Sequence, residues 1–385
     1  MKELIYDLRE ETLRALEEEK ISVEAKEFYE NNRALGAYMF GYPAHRYPLS
    51  PLTQYLLLKH YTSPFSNNCG DIDERGNYAM DTKTVEKRIV GLYAEKFGMG
   101  ERFWGYVTSG GSESNSCGIS LAFSKNPNGV LYYFENAHYS VEKYASTYPC
   151  MRIPAFSRDI PNYSALFEAI KKNYEEKGQG ANIVLTHGTT RYGACDDVDK
   201  VVAFLRENKI PYYLHVDAAL FGGIQNEQKD APILKDCKNR GVDSVSVSLH
   251  KYVGFPDVKS VFVAVEKPQG KEIAYIGQHD TTVSGSRSIP AYALYNHLCE
   301  QLREKDTEQY ARCVSRFERL LIGAGIDFYR APLSNIFVID APSEEICKKY
   351  QLSCFEDGGR ALAHIIVFPS HGEKETMELV RDLSL

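Results

Sequence analysis

A lysine at the end of an apolar strand is the first residue of this chain whose position suits covalent chemistry. Residues 242–249 are rich in valine and serine and predict a buried strand that leads through His250 into Lys251. In an open α/β sheet such a lysine leaves the sheet at its carboxyl edge, where these sheets bind ligands. Partial desolvation lowers the pKa of an amine, and the neutral amine can form a Schiff base with an aldehyde. Considered alone, the His-Lys pair fits a surface loop better.

An aspartate at the end of a second apolar strand supports the same chemistry. Residues 212–216 predict a strand that ends in Asp217, followed by Ala218 and Ala219. A buried carboxylate requires a cationic partner, and a protonated pyridinium nitrogen is such a partner. Keeping that nitrogen protonated makes the ring an electron sink. Ala219 is small enough to let a flat ring lie against the backbone. In isolation, Asp217 fits equally well as a cap of the next helix.

A glycine-rich turn is the predicted site for the phosphate group of such a cofactor. The turn follows a strand predicted over residues 103–108 and contains Ser109, Gly110 and Ser112, before a helix predicted over residues 113–123. Glycine lets backbone N–H groups approach an anion, and the helix N-terminus adds positive potential. Many strand-to-helix turns share this composition, so its meaning depends on the aspartate and the lysine downstream.

A histidine follows a third predicted strand. His138 comes four residues after the strand predicted over residues 129–134, in the run Asn-Ala-His-Tyr-Ser. An imidazole at this position could stack on the face of a pyridine ring opposite Ala219. A lone histidine is usually a structural residue, so the stacking role depends on the lysine, the aspartate and the glycine turn.

The elements that position these residues alternate between strand and helix. Further strands are predicted over residues 183–185, 244–248 and 261–265, and further helices over residues 52–60, 84–97, 163–173 and 198–206. This alternation is typical of an open α/β sheet with crossover helices.

The pattern changes after residue 289. A long helix is predicted from residue 290 through 319, then short strands over residues 336–340 and 363–368, and a terminal helix after residue 373. We therefore expect a large cofactor-binding domain over residues 51–289 and a smaller α+β domain over residues 290–385. Residues 1–50 are expected to form an N-terminal helical segment, with an amphipathic helix or pair of helices over residues 2–32.

The composition argues against several other classes of protein. The 385 residues carry a formal net charge of −7 and no run rich in lysine or arginine, which argues against nucleic-acid and membrane-surface partners. The sequence contains no apolar stretch as long as a membrane span, and its acidic N-terminal region is unlike a secretory signal. The nine cysteines include no CxxC pair, so a cytoplasmic protein without a zinc site or disulfide framework is expected.

The order of the motifs resembles the group II pyridoxal-phosphate-dependent amino-acid decarboxylases. Within this group, the chain is most similar to the branch of bacterial histidine decarboxylases and plant serine decarboxylases. The resemblance extends from about Gly41 to Gly372. It is carried by Gly41-Tyr42-Pro43, Asn67-Asn68-Cys69-Gly70-Asp71, Trp104-Gly105-Tyr106-Val107-Thr108, the glycine turn, His138-Tyr139-Ser140-Val141, Gly188-Thr189-Thr190, Gly193-Ala194 with Asp196-Asp197, residues 215–219, residues 248–251, Ser284-Gly285-Ser286-Arg287 and Ala363-His364.

This resemblance implies a fold, a cofactor and an assembly. The fold would be the aspartate-aminotransferase-like fold type I with a mostly parallel central sheet, the cofactor pyridoxal 5'-phosphate, and the assembly a homodimer. Lys251 would carry the cofactor as a Schiff base, Asp217 would pair with its ring nitrogen, and His138 would stack on its ring. The phosphate would be surrounded by Ser109, Gly110, Ser112, Ser248 and His250, Thr189 would lie near the phenolic oxygen, and the segment containing Ser286 would come from the neighbouring subunit.

The reaction implied by the resemblance is decarboxylation of an L-amino acid to its amine and CO₂. Histidine is the leading substrate, and serine is an alternative. A carbon–carbon lyase that acts on a phosphorylated amino alcohol and a protein that keeps the fold without catalysis also remain open, because fold does not fix function.

Further candidates come from polar and aromatic residues near the motifs. Tyr275 is a candidate proton donor or substrate contact, although packing in its loop is an alternative. Tyr42, Asn67 and Asn68 are candidates for substrate contact, because a few placed polar groups usually orient a ligand in a mostly apolar pocket.

Overall fold

The computed structural model describes residues 23–63, 66–223, 234–304, 307–332 and 334–384. Most of the helix predicted over residues 2–32 lies outside the described residues. The helices are α1 (Val23–Ala37), α2 (Pro51–Thr62), α3 (Lys83–Phe97), α4 (Gly111–Lys125), α5 (Tyr139–Ala145), α6 (Tyr163–Lys177), α7 (Val198–Glu207), α8 (Cys237–Arg240), α9 (Ala291–Glu304), α10 (Thr307–Gly323), α11 (Glu344–Lys349) and α12 (Glu373–Leu383). The strands are β1 (Trp104–Thr108), β2 (Val130–Phe134), β3 (Cys150–Ile153), β4 (Ala155–Phe156), β5 (Ile160–Pro161), β6 (Ala181–Thr186), β7 (Tyr212–Asp217), β8 (Ser244–Ser248), β9 (Ser260–Ala264), β10 (Lys271–Ile273), β11 (Gln278–Asp280), β12 (Ile336–Asp340), β13 (Ser353–Asp357) and β14 (Arg360–Ile366).

A central sheet forms the larger part of the described chain. Its seven strands have the order β1-β9-β8-β7-β6-β2-β3. The pairs from β8 through β3 are parallel, whereas β9 is antiparallel to both β8 and β1. All residues of β1, β2, β6, β8 and β9 are buried, as expected for strands with both faces covered. The predicted α/β fold with a mostly parallel sheet is therefore confirmed.

The carboxyl ends of four strands meet at one edge of this sheet. Strands β2, β7 and β8 share a direction, and β1 shares it too because β1 and β8 both pair antiparallel with β9. Asp217 is the last residue of β7, Lys251 follows the end of β8, and His138 follows the end of β2. The glycine turn follows β1 directly. This is the edge at which open α/β sheets bind ligands.

Helix α4 lies against the sheet, and one glycine allows its close approach. The helix begins at the glycine turn and contacts β6, β7, β8 and β9. A Cβ atom at Gly118 would lie 2.6 Å from the ring of His215 in β7. Glycine at this position therefore lets the backbone of α4 approach the strands more closely than any other residue would.

A second hydrophobic core lies around a smaller sheet near the C-terminus. This sheet is antiparallel, with the order β12-β14-β13, and it includes the strands predicted over residues 336–340 and 363–368. Phe317, Phe337 and Ile365 are fully buried there, and α10 contacts α12. The second core thus has the α+β character expected for the end of the chain.

The packing of α9 corrects the domain boundary predicted at residue 290. Ala291, Leu294 and Leu298 of α9 are buried in the larger core, and α9 contacts α2 and α3. Of the described residues after 290, Tyr310 in α10 is the first that belongs to the second core. The single helix predicted over residues 290–319 is described as α9 and α10, with residues 305 and 306 outside the described residues. Helical periodicity continues through both helices and does not show which core each one joins.

Residues 38–47, here called the strap, are irregular, so the N-terminal helical segment expected over residues 1–50 does not extend to residue 50. Phe40 is fully buried in the second core, and its N–H donates to the carbonyl of Tyr350 at 3.0 Å. Its carbonyl accepts the N–H of Ile366 at 2.6 Å. A Cβ atom at Gly41 would lie 2.0 Å from the carbonyl oxygen of Gln351. The strap is therefore fixed closely against the smaller sheet.

Short elements were not predicted from the sequence. They are β3, β4, β5, β10, β11, α5, α8 and α11, each too short to establish a hydrophobic period, and β13, whose residues are mostly exposed and contain no apolar run. In the described ranges, a helix with the length and apolar character needed to cross a bilayer is not found.

Candidate active site

A cavity of about 450 Å³ opens at the carboxyl edge of the central sheet. It is lined by the strand ends, the start of α4, the strap and the smaller sheet. The predicted site residues that line it are Tyr42, Ser109, Gly110, Ser112, His138, Thr189, Asp217, Ala219, Ser248, His250 and Lys251. The structure thus brings most of the predicted site residues to one cavity.

Lys251 has an amine whose environment favours the neutral form. Burial lowers the pKa of this amine, and the nearby carboxylate of Asp217 opposes that shift. A lowered pKa increases the neutral fraction, and only the neutral amine is a nucleophile. The carbonyl of Lys251 accepts the N–H of His45 at 2.9 Å, so the backbone of the lysine is tied to the strap.

The carboxylate of Asp217 is held by two directed donors. Its Oδ1 atom accepts the backbone N–H of Ala219 at 3.1 Å, and its Oδ2 atom accepts Nδ2 of Asn115 at 2.7 Å. Only 4% of the residue is exposed. The two hydrogen bonds fix the plane of the carboxylate and offset part of the cost of burying it.

Asn115 uses its whole side-chain amide to join the groups around Asp217. Its Nδ2 atom also donates to Oγ of Ser140 at 2.9 Å. Its Oδ1 atom accepts from Nε2 of His215 at 3.2 Å and from Oγ of Ser246 at 3.3 Å. Two donated and two accepted bonds satisfy the capacity of a primary amide. Asn115 therefore has one fixed orientation.

His215 holds the amide oxygen of Asn115 in this network. Its Nε2 atom carries the proton because Oδ1 of Asn115 can only accept. Its Nδ1 atom then accepts from the hydroxyl of Ser244 at 2.9 Å. Burial lowers the pKa of His215 to about 4, so the ring is neutral near pH 7.

His138 is oriented through the same network. Its Nδ1 atom accepts the backbone N–H of Ser140 at 3.3 Å and lies 2.8 Å from Oγ of Ser140. Because Nδ1 already accepts the backbone N–H, it carries no proton, so the Ser140 hydroxyl donates its own proton to Nδ1. The neutral ring therefore carries its proton on Nε2, and burial lowers the pKa of the imidazole.

The start of α4 forms a site for an anion. Gly110 is the N-cap residue with φ of 139°, and no side chain caps this helix end. The first N–H groups of a helix lack partners within the helix, so they can bind an anion here. A Cβ atom at Gly111 would lie 3.0 Å from Oγ of Ser248, which shows how closely the helix approaches β8.

His250 donates from Nδ1 to the carbonyl of Lys259 at 3.3 Å, which leaves Nε2 for another partner.

The wall formed by the strap and the smaller sheet, here called the small-sheet wall, is neutral. The carbonyl of Gly41 accepts from Oγ of Ser353 at 3.2 Å and from Nε2 of His364 at 3.0 Å. Ser353 and His364 are paired across β13 and β14, and burial lowers the pKa of His364. The described residues of the wall are Gly41, Tyr42, Pro43, Ile336, Ser353, His364 and Ile366, and they include no acidic residue, lysine or arginine.

Comparison with known proteins identifies the family. Residues 123–271 match the family model described as the pyridoxal-dependent decarboxylase conserved domain. The histidine decarboxylase of Pseudomonas entomophila is 34% identical to this chain in an alignment of 355 positions that covers 87% of this chain and 84% of that protein. This chain belongs to the pyridoxal-dependent decarboxylases. Serine decarboxylase 2 of Oryza sativa is 32% identical to this decarboxylase, over 90% of the chain and 74% of the relative.

Solved structures show the same fold as this decarboxylase. The L-methionine decarboxylase of Streptomyces sp. 590, solved with L-methionine methyl ester, aligns over 94% of both chains with a TM-score of 0.78 and 20% sequence identity. The fold expected from the sequence, that of the fold type I pyridoxal-phosphate enzymes, is thereby confirmed.

The cavity of this decarboxylase fits the pyridoxal phosphate that its family uses. The start of α4 suits the phosphate, because no N-cap side chain bonds its first N–H groups, which are then available to an anion. The buried amine of Lys251 and the buried carboxylate of Asp217 line the same cavity. An amine that attaches the aldehyde and an acid that pairs with the ring nitrogen are the two groups that this cofactor requires.

Two predicted site residues of the decarboxylase support a loop instead of lining the cavity. Asn68 is buried, its Nδ2 atom donates to Glu86 at 2.7 Å, and its Oδ1 atom accepts the N–H of Thr82 at 2.7 Å. Asn67 donates from Nδ2 to Oγ of Ser286 at 3.1 Å. Neither asparagine is among the residues that line the cavity of its own chain, and both amides join neighbouring segments of the chain.

Tyr275 and Ser286 also lie outside the cavity of their own chain. Tyr275 is in the turn between β10 and β11, and 74% of this residue is exposed. Ser286 is an exposed residue beside Asn67. Their predicted roles require a second subunit and stay predictions.

Sequence reasoning missed Asn115, Ser140, His215, Ser353 and His364 as parts of the site. A usable signal existed for two of them. His215 is a polar residue inside an apolar strand, and Asn115 is a polar residue in the helix that follows the glycine turn. Buried polar groups are nearly always hydrogen-bonded, so both positions predict partners, although not which ones.

Proposed function

We propose that this decarboxylase converts L-histidine to histamine and CO₂. The observation that carries the substrate assignment is the small-sheet wall, which combines apolar residues with neutral polar groups. A charged substrate side chain at this wall would lack a partner, and an unpaired charge away from water is costly. An imidazole can instead exchange hydrogen bonds with the hydroxyls of Tyr42 and Ser353. The histidine decarboxylases among the relatives support the same choice.

Each residue of the cavity would have a separate role in holding the cofactor. Pyridoxal phosphate, when bound, supplies an electron sink for the electron pair that remains on the substrate after loss of CO₂. Lys251 would hold the cofactor covalently, Asp217 would pair with its ring nitrogen, and His138 would lie against its ring. Ser109, Gly110, Ser112, Ser248 and His250 would hold the phosphate, Ala219 would face the ring opposite His138, and Thr189 would lie near the phenolic oxygen.

The protonation states of the chain suit these roles. Burial lowers the pKa of the Lys251 amine, which increases the fraction of the released amine that is neutral and able to accept a proton at Nζ. His138 offers the proton on Nε2 as a hydrogen-bond donor, while Ser140 holds its other nitrogen. Asn115 holds Asp217 in one orientation throughout, which avoids reorganisation during the reaction.

Serine is the second candidate substrate. The plant serine decarboxylase among the relatives and the hydroxyl-bearing small-sheet wall both favour it. A lyase for phosphorylated amino alcohols would require cationic groups for the substrate phosphate, and the described small-sheet wall contains no lysine or arginine. A non-catalytic role is disfavoured by the retained Lys251, Asp217 and His138.

A panel experiment tests the proposed reaction. The purified protein, loaded with pyridoxal phosphate, is incubated with each common L-amino acid, and CO₂ and amine are both quantified. We expect histamine from L-histidine, and no amine from the Lys251→Ala variant. Ethanolamine as the main product would replace histidine by serine as the substrate. Cofactor-loaded protein that releases CO₂ from none of the amino acids would contradict the proposal.

We also propose that two chains form a homodimer with shared active sites. Support comes from exposed apolar side chains that line the cavity: Tyr42, Tyr139 and Val258 are each about half exposed or more. Exposed apolar groups that cluster at a functional opening are typical of an interface. In such a dimer, Tyr275 and Ser286 would reach the cavity of the partner.

Complementation between inactive variants tests the shared site. Lys251→Ala lacks the catalytic lysine, and Tyr275→Ala removes an exposed side chain that the fold does not need. If Tyr275 acts in trans, a mixed dimer has one cavity with both residues intact, and a random mixture recovers about a quarter of the wild-type activity. A fully active Tyr275→Ala variant would contradict the role of Tyr275, and a monomer in light scattering would contradict the dimer.

A cytoplasmic location is our proposal for the protein in its cell. The irregular spacing of the nine cysteines is typical of proteins kept in a reducing compartment. Fractionation of cells that express the protein at its natural level should place it with cytoplasmic markers, and recovery in an exported fraction would contradict the proposal.

A further inference from the structure

Two cysteines lie in direct contact behind the small-sheet wall. The sulfur of Cys347 in α11 lies 3.1 Å from the sulfur of Cys354 in β13. A disulfide bond is about 2.0 Å long, so the two sulfurs need to approach by only about 1 Å to bond. Cys354 is exposed and Cys347 is half-buried. An oxidant in solution therefore reaches Cys354 first and finds a second thiol beside it.

The backbone between the two cysteines holds them together without a bond. The N–H of Leu352 donates to the carbonyl of Cys347 at 2.9 Å, and Gln351 has a left-handed conformation with φ of 51°. The chain therefore turns back sharply from α11 into β13. Because the turn already exists in the thiol form, closing the loop costs little additional conformational entropy.

The same turn supports the small-sheet wall of the cavity. Ser353, which lines the cavity, is the neighbour of Cys354 and donates to the carbonyl of Gly41 at 3.2 Å. A Cβ atom at Gly41 would lie 2.6 Å from Cα of Leu352 and 2.7 Å from N of Ser353. With so little free space, a shift of the turn must move Ser353, Gly41 or both.

We propose that Cys347 and Cys354 are an oxidation site that forms a reversible disulfide with hydroperoxides as the oxidant, and that this bond alters the substrate end of the cavity. The second part rests on the proposed function, whereas the first part is independent of it. No side chain assigned to the cofactor belongs to this turn, so substrate binding changes while cofactor binding does not.

The chemistry proceeds in two balanced steps. The thiol of Cys354 reacts with a hydroperoxide ROOH to give a sulfenic acid and the alcohol ROH, as the O–O bond breaks and the sulfur loses two electrons. The thiol of Cys347 then attacks that sulfur, the S–S bond forms, the S–O bond breaks, and water leaves with the thiol proton. A dithiol reductant reverses the reaction by thiol–disulfide exchange.

Peptide mapping tests the disulfide directly. Lys348 and Lys349 lie between the two cysteines, so trypsin separates Cys347 and Cys354 onto different peptides unless a disulfide joins them. The cofactor-loaded protein is treated with limiting hydrogen peroxide and digested without reductant. We expect a joined peptide pair that dithiothreitol separates and that Cys347→Ser and Cys354→Ser both abolish. Oxidation of the exposed Cys150 without a joined pair would overturn the proposal.

Kinetics test the effect on the cavity. We expect peroxide to raise KM for the decarboxylated amino acid severalfold, with unchanged cofactor absorbance and reversal by dithiothreitol. Cys354→Ser should be insensitive, and the matched variant Cys150→Ser should respond like the wild type. A joined pair with unchanged KM would overturn the link to the cavity. If no amino acid is decarboxylated, the proposed function fails while the peptide map still decides the oxidation site.

Discussion

Nδ2 of Asn115 lies 2.7 Å from Oδ2 of Asp217 and 2.9 Å from Oγ of Ser140. One amide nitrogen therefore orients both the acid that would pair with the cofactor ring nitrogen and, through Ser140, the imidazole of His138. The amide oxygen of Asn115 is held in turn by His215 and Ser246. The groups expected on the cofactor ring are thus positioned by a hydrogen-bond network whose members are far apart in the sequence.

Replacing Asn115 should reduce catalysis more than it reduces substrate binding. In Asn115→Ala, the Asp217 carboxylate and the Ser140 hydroxyl both lose a directed donor, so kcat should fall by about tenfold to a hundredfold, the usual effect of losing a second layer of support. Steady-state kinetics with cofactor quantified by absorbance would measure this. Asn208→Ala, which removes an amide that bonds to Phe204 at the end of α7, is the matched control and should keep full kcat. Wild-type kcat in Asn115→Ala would show that the network does not position Asp217.

Substitutions at Asp217 and Lys251 should affect cofactor attachment and turnover differently. Asp217→Ala should keep most of its cofactor, because Lys251 and the phosphate site remain, but kcat should fall by about a hundredfold or more, as typical for the loss of an electrostatic partner. Lys251→Ala should have no adduct after borohydride reduction, whereas mass spectrometry of the reduced wild type should place the adduct on Lys251. Turnover by Lys251→Ala, or unchanged kcat in Asp217→Ala, would contradict the assigned roles.

Adding one methyl group at Gly118 should destabilise the protein, although alanine normally favours a helix. The new Cβ atom would lie 2.6 Å from the ring of His215 and would push that ring away from Asn115. The control is Gly91→Ala in α3, where the nearest atom to the new Cβ is 3.6 Å away in Phe103. Thermal unfolding should show Gly91→Ala stabilised by up to about 1 kcal/mol and Gly118→Ala destabilised with reduced kcat. Equal effects of the two substitutions would contradict the close packing of α4 on β7.

Asp196 should make stability depend on pH. Burial raises the pKa of this carboxyl to about 7, and its Oδ2 atom accepts the N–H of Thr186 at 2.7 Å. Between about pH 4 and pH 7 the folded state therefore holds a proton that the unfolded state has released, and the free energy of unfolding falls as pH rises through this window. Asn at this position can accept the same hydrogen bond and does not ionise.

Asp196→Asn should therefore gain stability relative to the wild type as pH rises. The difference in the free energy of unfolding between variant and wild type should increase by on the order of 2–4 kcal/mol from pH 4 to pH 8, since one pKa unit corresponds to about 1.4 kcal/mol. Urea unfolding at a series of pH values measures this difference. A constant difference across the range would mean that Asp196 titrates alike in the folded and unfolded states.

Much of the site was predictable because its residues follow strand ends. When a strand has its carboxyl end at the ligand-binding edge of the sheet, the residues that follow it lie at that edge regardless of the other tertiary contacts. The local sequence pattern was therefore enough to predict Asp217, Lys251, His138 and the glycine turn. The substrate end of the cavity was harder to predict from the sequence. Ser353 belongs to β13, whose residues are mostly exposed and contain no apolar run that would predict a strand. Asn68 was expected to contact the substrate, whereas its amide binds Glu86 and Thr82 of its own chain.

The sequence by itself determined the strand ends, the residue types placed there, and hence the family and its cofactor. The tertiary structure alone decided which polar groups meet. Asn115 and Asp217 are 102 positions apart, and Gly41 and His364 are 323 positions apart. Hydrophobic periodicity specifies which face of an element is buried but not which hydrogen-bonding partner lies across the interface. That partner is fixed only when α4 packs on β7 and the strap crosses the smaller sheet, because hydrogen bonds require separations near 3 Å.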